Sequence, residues 1–205
     1  MTLYAISLTI GQLQRRGVLT TEVDFIDEAS INNASKIFDN EDVDILINSA
    51  GIYNMWDDKA FNELSADDIL NHFKVNTLGP FLSSKYFLPY LSRSAQGKII
   101  NISSDFASIA DNIGGNACYR ISKCALNQLT KNIAMDCQKT APNVIALAIH
   151  PGYVPTKMTN YVGEDDMDVC MSSLVNIIET FGTPEASLNL PNGGYVRWNG
   201  DIMDY

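Results

Sequence analysis

Tyr119 and Lys123 stand four residues apart in Tyr119-Arg120-Ile121-Ser122-Lys123, a spacing that places both side chains on one face of a helix. A phenol with its ordinary pKa of about 10 is almost wholly protonated at neutral pH, and a neighbouring ammonium favours phenolate and lowers that value. The pair can thus form a proton donor working near neutrality, although the same spacing also occurs on ordinary helix surfaces. Ser104 closes an apolar run, Lys98 to Ile102. Its hydroxyl can either hydrogen-bond a carbonyl compound or cap the next element. Asn76 precedes Pro80 by four residues, and proline has no amide to give to the Asn76 carbonyl. That carbonyl is expected to be free for an ordered water leading to Lys123; the plainer reading is a helix break at Gly79-Pro80.

These four residues need a frame. Val43 to Ile47, Lys98 to Ile102 and Val144 to Ile149 are short runs rich in Ile, Val and Leu, as strands buried on both faces are. Between them lie segments of helical periodicity. One starts at a Ser65 cap, carries Ile69, Leu70, Phe73 and Val75 toward a core, and continues past Pro80 to Leu91. Others run from Asn116 to Cys137 and from Val169 to Phe181, and Tyr195 to Trp198 reads as a short strand before the Asn199-Gly200 turn. Strand and helix alternate, so the expected class is α/β, a mostly parallel sheet covered by helices in one domain over residues 1–205. Ser104 then lies outside the carboxyl end of its strand, where open parallel sheets bind ligands. Asn48-Ser49-Ala50-Gly51 and His150-Pro151-Gly152-Tyr153-Val154 follow the flanking strands at the same edge. Neither histidine has a triad-like partner in sequence. His72 is expected to face solvent, and histidine catalysis is not indicated.

Composition narrows the partners. A net charge of -10 without a Lys/Arg-rich run disfavours nucleic acid. Cys118, Cys124, Cys137 and Cys170 lack metal-site or redox-dithiol spacings, so no metal is expected and the thiols read as reduced. With neither a leader-like start nor an apolar stretch of membrane-spanning length, a cytoplasmic protein is the expectation.

Taken together, Asn48-Ser49-Ala50-Gly51, Asn76, Ser104 and the stretch from Tyr119 to Asn127 resemble the short-chain dehydrogenases/reductases, in particular the C-factor-like and sniffer-like carbonyl reductase branch. The resemblance implies a Rossmann-like doubly wound sheet and a catalytic tetrad of Asn76, Ser104, Tyr119 and Lys123. It implies NADP(H) as cofactor, with Asp24 at the adenine and Asn48, Ala50 and Gly51 along the adenosine. Tyr119 and Lys123 would also contact the cofactor, Lys123 at the nicotinamide ribose, and Pro151, Gly152, Val154 and Thr156 would lie against the nicotinamide. It implies reduction of a small carbonyl compound with Tyr119 as proton donor, and a homodimer paired through the helices that follow Ser65 and Tyr119. Tyr53, Trp56, Phe106, Tyr153 and the acidic loop 164–168 are candidate pocket or lid residues, the plainer reading being core packing for the aromatics and a solvated loop for the acids.

The resemblance fails at the amino terminus, because no Thr-Gly-x-x-x-Gly-x-Gly loop precedes Gly51 and the only earlier glycines are Gly11 and Gly17. The expected sheet is therefore truncated by its first βα unit. Leu3 to Leu8 would be the family's second strand, or would replace its first, with Thr9 to Arg16 as a connecting helix. Either way a strand edge must be covered by the rearranged terminus or by another subunit. Three functions stay open: an NADP(H)-linked reductase, a cofactor-independent acid-base enzyme on the same tetrad, and a noncatalytic binding protein.

Overall fold

The computed structural model describes residues 4–6, 19–53, 59–184, 186 and 188–205, with the side chains of 4–6 and 19 left aside. The connecting helix expected over Thr9 to Arg16 and the pocket residue Trp56 lie outside the described residues.

Four parallel strands form the main sheet in the order β3 (Ile45–Asn48), β4 (Gly97–Ile102), β5 (Val144–His150), β6 (Gly194–Arg197). The apolar runs of the sequence thus become strands, each shifted by no more than two residues from its expected bounds. Their alternation sends side chains to two separate cores. On one face Leu46, Ile99, Val144 and Ala146 pack with Phe87 and Leu91 of helix α3 (Gly79–Leu91) and Ala134 and Cys137 of α4 (Ala117–Thr140). On the other, Ile100, Leu147, Ile149 and Val196 pack with Leu174 and Ile177 of α5 (Met167–Thr180). Lys98 is buried, and its ammonium donates to the Ile178 and Glu179 carbonyls at the end of α5, 3.1 and 2.6 Å away. The lysine therefore supplies partners that a helix carboxyl end needs.

The remaining strands, β1 (Tyr4–Ile6) and β2 (Leu19–Thr21), form a separate parallel pair. The second and third strands of a doubly wound sheet pair in this way, with the first lying between them and the fourth; the pairing favours reading Leu3 to Leu8 as the second strand. Helix α1 (Glu28–Ser35) follows, capped by the Asp27 carboxylate on the Ala29 amide.

Two expectations need correction. β3 is not buried on both faces: Ile47 points to the α5 side of the sheet and is 48% exposed, because no described helix covers that end of it. The helix α2 (Ala66–Phe73) is capped by Ser65 as expected, but Leu70 and Phe73 are exposed and none of its residues is fully buried, since only one flank of this short helix packs against α4.

A candidate active site at the carboxyl edge of the sheet

The long helix α4 carries Tyr119 in its first turn and Lys123 in its second, and both are buried. Asn116, in the left-handed region at φ 50°, turns the chain into this helix directly after Gly114 and Gly115. Ser104 begins the short turn Asp105–Ala107 beyond β4, and its hydroxyl oxygen accepts from the Phe106 amide at 3.2 Å. The capping role expected of Ser104 is thus present, and the same hydroxyl acts against the rise in the Tyr119 pKa.

Asn76 is fully buried, and its amide group is spent on the chain beyond β3. Its Oδ1 accepts from the Ile52 amide at 2.8 Å, while Nδ2 donates to the Ile52 carbonyl and to Ser122 Oγ, both at 2.9 Å. Ser122 donates in turn to the Tyr119 carbonyl at 2.8 Å. One asparagine thus joins the loop after β3 to the helix bearing Tyr119, and a half-satisfied version of such a network would be costly. A Cβ on Gly51 would stand 3.3 Å from Asn76 Oδ1 and 3.5 Å from Lys123 Nζ, so the small residue permits a close backbone approach.

The helix break at Gly79-Pro80, the plainer expectation, does not occur. Instead of a break, Lys74–Leu78 widens into one π-helical turn, with the Gly79 amide on the Lys74 carbonyl, and the helix resumes as α3. Such widened turns accommodate a lost i→i−4 bond and are common at functional sites. Lys123 directs its ammonium to the Ile102 carbonyl, 2.7 Å away.

The electrostatics also differ from the expectation of a phenol lowered by lysine. Burial pushes the Tyr119 phenol up to about 12, with the Ser104 hydrogen bond acting against that rise and Asp105 adding to it. Burial pushes Lys123 down to about 8. Its Nζ lies 5.8 Å from the centre of the Tyr119 ring, yet desolvation weakens its hold on its own proton and so its power to favour phenolate. Tyr53 lies over Tyr119 with ring centres 4.6 Å apart, and Phe106 meets the same ring edge-on at 6.1 Å. Phe106 is itself covered by the buried Arg120 guanidinium at 4.2 Å. Tyr53 and Phe106 thus pack against the Tyr119 ring.

A cleft of about 260 Å³ opens beside Tyr53 and Tyr119, walled by Ile52, Leu64, Asn71, His72 and Cys118 among others. His72 is half-buried in this wall, with Nδ1 2.9 Å from the Asp68 carbonyl, rather than facing solvent.

The cofactor candidates divide. Gly152, at φ 94°, is packed so closely that a Cβ would meet Cys170 Sγ at 2.9 Å and Trp198 at 3.0 Å, and Val154 is buried beside half-buried Pro151 and Thr156. Tyr153 is held by its amide, which donates to Asp165 at 2.6 Å, and Asp166 caps α5, so the acidic loop 164–168 is structural as well as polar. The Asn48 side chain turns inward and donates to Asn101 Oδ1 at 2.8 Å, and Asn101 donates to Thr130 at 2.8 Å. Ala50 and Gly51, the other two candidates of that stretch, are half-buried. Asp24 is exposed and accepts from the Ile26 amide at 3.0 Å.

Sequence reasoning missed Ser122, Asp105 and His150. Ser122 falls inside the helical motif that holds Tyr119 and Lys123, so its spacing was a usable clue. Asp105 and His150 meet only through the sheet. All four cysteines are free, and among the described residues no cluster of metal-ligating side chains occurs and no helix is long and apolar enough to cross a membrane.

Residues 4–167 match the family model for short chain dehydrogenase. The chain belongs to the short-chain dehydrogenase family. It is 33% identical over 172 residues to the 3-oxoacyl-[acyl-carrier-protein] reductase FabG of Aquifex aeolicus, covering 82% of this chain and 65% of that protein. It is 33% identical over 117 residues to the C-signal protein of Myxococcus xanthus, covering 57% of this chain and 68% of that one. Among solved structures, the NADPH-bound carbonyl reductase from chicken fatty liver superimposes with a TM-score of 0.83 at 24% identity, over 98% of this chain and 86% of that one. The carbonyl reductase Sniffer of D. melanogaster gives the same TM-score and coverage at 22% identity. The doubly wound fold follows from these likenesses.

Proposed function

We propose that this chain carries the proton-handling half of an NADP(H)-linked carbonyl reductase acting on a small carbonyl compound. The observation that carries this reading is the convergence of Ser104, Tyr119 and Lys123 at one edge of the sheet, under the aromatic cover of Tyr53 and Phe106 and beside a cleft of about 260 Å³. Ser104 orients the carbonyl oxygen, and Tyr119 gives it a proton. A phenol raised to about 12 holds its proton at neutral pH, as a donor in the reducing direction must. Asn76 fixes the Ile52 backbone and, through Ser122, the first turn of α4. NADPH, when bound, supplies hydride to the carbonyl carbon.

The residues present fit the nicotinamide end of that cofactor. The tight Pro151-Gly152 turn, Val154, Thr156 and the open Gly51 backbone offer a flat, close approach, and Lys123 lies within reach of Gly51. Asp24 would meet the adenine. No glycine-rich turn for the pyrophosphate lies among the described residues, so that cradle would come from another part of the polypeptide or be replaced by contacts at the nicotinamide end. The same feature favours a second reading, acid-base chemistry on a carbonyl compound without a dinucleotide.

Fluorescence of NADPH titrated into the protein separates the two. Binding together with NADPH oxidation in the presence of 4-nitrobenzaldehyde supports the reductase. Turnover of a carbonyl probe that is equal with and without NADPH supports the second reading. A homodimer through α2, α3 and α4 is part of the proposal, since Leu70, Phe73, Phe81 and Ile121 are large apolar side chains exposed on those helices. Sedimentation of Phe81→Asp as a monomer beside a dimeric parent is the expected result; a parent sedimenting as a monomer refutes it.

A further inference from the structure

Ser104 has a single proton and more than one claimant for it. The hydroxyl donates to Asp105 Oδ1 at 3.0 Å while its oxygen accepts from the Phe106 amide at 3.2 Å. The same Asp105 oxygen accepts from the Phe106 amide at 2.9 Å. A hydroxyl whose hydrogen is committed to a carboxylate cannot donate that hydrogen to a carbonyl substrate.

On the far side of Asp105 lies His150, the last residue of β5 and only 4% exposed. Its Nδ1 is 3.8 Å from Asp105 Oδ1 and has no hydrogen-bond partner among the described residues. That separation is too long for a hydrogen bond and short for a charge-charge attraction. A buried polar atom left without a partner calls for an explanation, and the nearest carboxylate is the one that holds Ser104.

We propose that Asp105 and His150 are positioning residues for Ser104: neutral His150 leaves Asp105 on the serine hydroxyl, and protonated His150 draws Asp105 away and frees that hydroxyl for a substrate carbonyl. The inference rests on the reading of Ser104 as the group that orients the carbonyl.

The local construction permits the motion. The Ser104 backbone is held by the Tyr195 hydroxyl, which donates to its carbonyl at 2.5 Å, so the hydroxyl and the neighbouring carboxylate are the parts that can turn. The Asp105 side chain is 43% exposed and has room to rotate, whereas the imidazole is fixed in the wall. The charged groups facing His150 are Asp105 after β4, Arg197 on β6 and Asp165 before α5; Tyr119 and Tyr195 are the titratable groups influenced by Asp105. Burial keeps His150 below the usual histidine range, Asp105 and Asp165 oppose that, and Arg197 adds to it. The release of Ser104 therefore belongs to mildly acidic pH, below about 6.5.

The test begins with the protein alone. In ¹⁵N-labelled protein the Phe106 amide, which donates to both Ser104 and Asp105, is followed with the histidine side-chain resonances from about pH 8 to about pH 5. With only two histidines in the chain, His72→Gln identifies the His150 resonances. The Phe106 amide shift is expected to track the His150 titration, to lose that step in His150→Gln, and the His150 pKa is expected to fall in Asp105→Asn. A Phe106 amide indifferent to His150 overturns the proposal. NADPH-dependent reduction of 4-nitrobenzaldehyde then reads the catalytic side. From pH 7.5 to pH 5.5, kcat/KM of the parent should rise about tenfold more than that of His150→Gln, the size of one released hydrogen bond. Matching pH profiles overturn the positioning role even if the amide titrates. A parent that oxidises no NADPH refutes the reductase reading, while the amide titration still decides the Asp105–His150 coupling.

Discussion

The two ends of the parallel sheet are built to different standards. Around β4 and β5 the side chains of Asn76 and Lys123 are pinned and the cores are filled. Asn76 makes three hydrogen bonds, Lys123 holds the Ile102 carbonyl, and Ile99 and Ile100 fill cores on opposite faces. Toward β3, Ile47 stands half in solvent on a strand expected to be covered, and among the described residues β1 and β2 pair only with each other. On the proposed function, the contrast makes proton chemistry and dinucleotide binding separable parts of this fold. The first would be organised by α4 and the ends of β4 and β5, and the pyrophosphate end of the second would depend on elements before β3.

The sharpest way to break this comparison is Tyr119→Phe. If the tetrad is the working half, NADPH-linked reduction of an aldehyde probe should fall by about 10³-fold, the scale of losing a positioned general acid, while circular dichroism stays unchanged. Retention of the parent rate would remove Tyr119 from the chemistry.

Stability should divide along the same line. Ile99→Ala, at a fully buried position, should cost about 3 kcal/mol in urea unfolding, whereas Ile47→Ala should cost less than about 1 kcal/mol. Equal costs would mean that Ile47 is covered in solution, by this polypeptide or by a partner.

A third test uses pH. Lys123 titrates near 8 in the folded protein because burial disfavours its charge, and an unfolded lysine titrates near 10.4. Between these values the unfolded chain holds a proton that the folded chain has lost, so stability rises with pH across that window and the penalty is complete below it. Lys123→Met should therefore be more stable than the parent at pH 7 by about 3 kcal/mol, with the difference vanishing toward pH 10.5. A constant difference would show that the ammonium stays charged on the Ile102 carbonyl. The smallest effect is expected in the other region. Asp24→Ala should change stability by no more than about 0.5 kcal/mol, and should weaken NADPH binding by about fivefold through the loss of one exposed polar contact.

Much of the working half was legible in the residues themselves. The i, i+4 spacing of Tyr119 and Lys123, the serine after an apolar strand and the proline four residues beyond Asn76 are local patterns, and helix and strand periodicities translate such patterns directly into faces and ends. The Ser65 cap and the strands of the main sheet were readable for the same reason. The electrostatics were not, because a pKa follows from the whole surroundings: spacing alone brought an ammonium toward Tyr119, whereas the packing of Tyr53 and Phe106 raised the phenol and burial weakened the ammonium.

The sequence by itself determined the alternation of strands and helices, the absence of a glycine-rich turn before Gly51, and the side chains available for proton transfer. Only the tertiary structure decided how they are coupled. Asp105 and His150 lie 45 positions apart in the chain, one in the turn after β4 and the other at the end of β5, and parallel pairing of β4 with β5 brings them within 3.8 Å. Parallel strands join residues far apart in sequence, and no periodicity within either segment records which partner the sheet will set beside it.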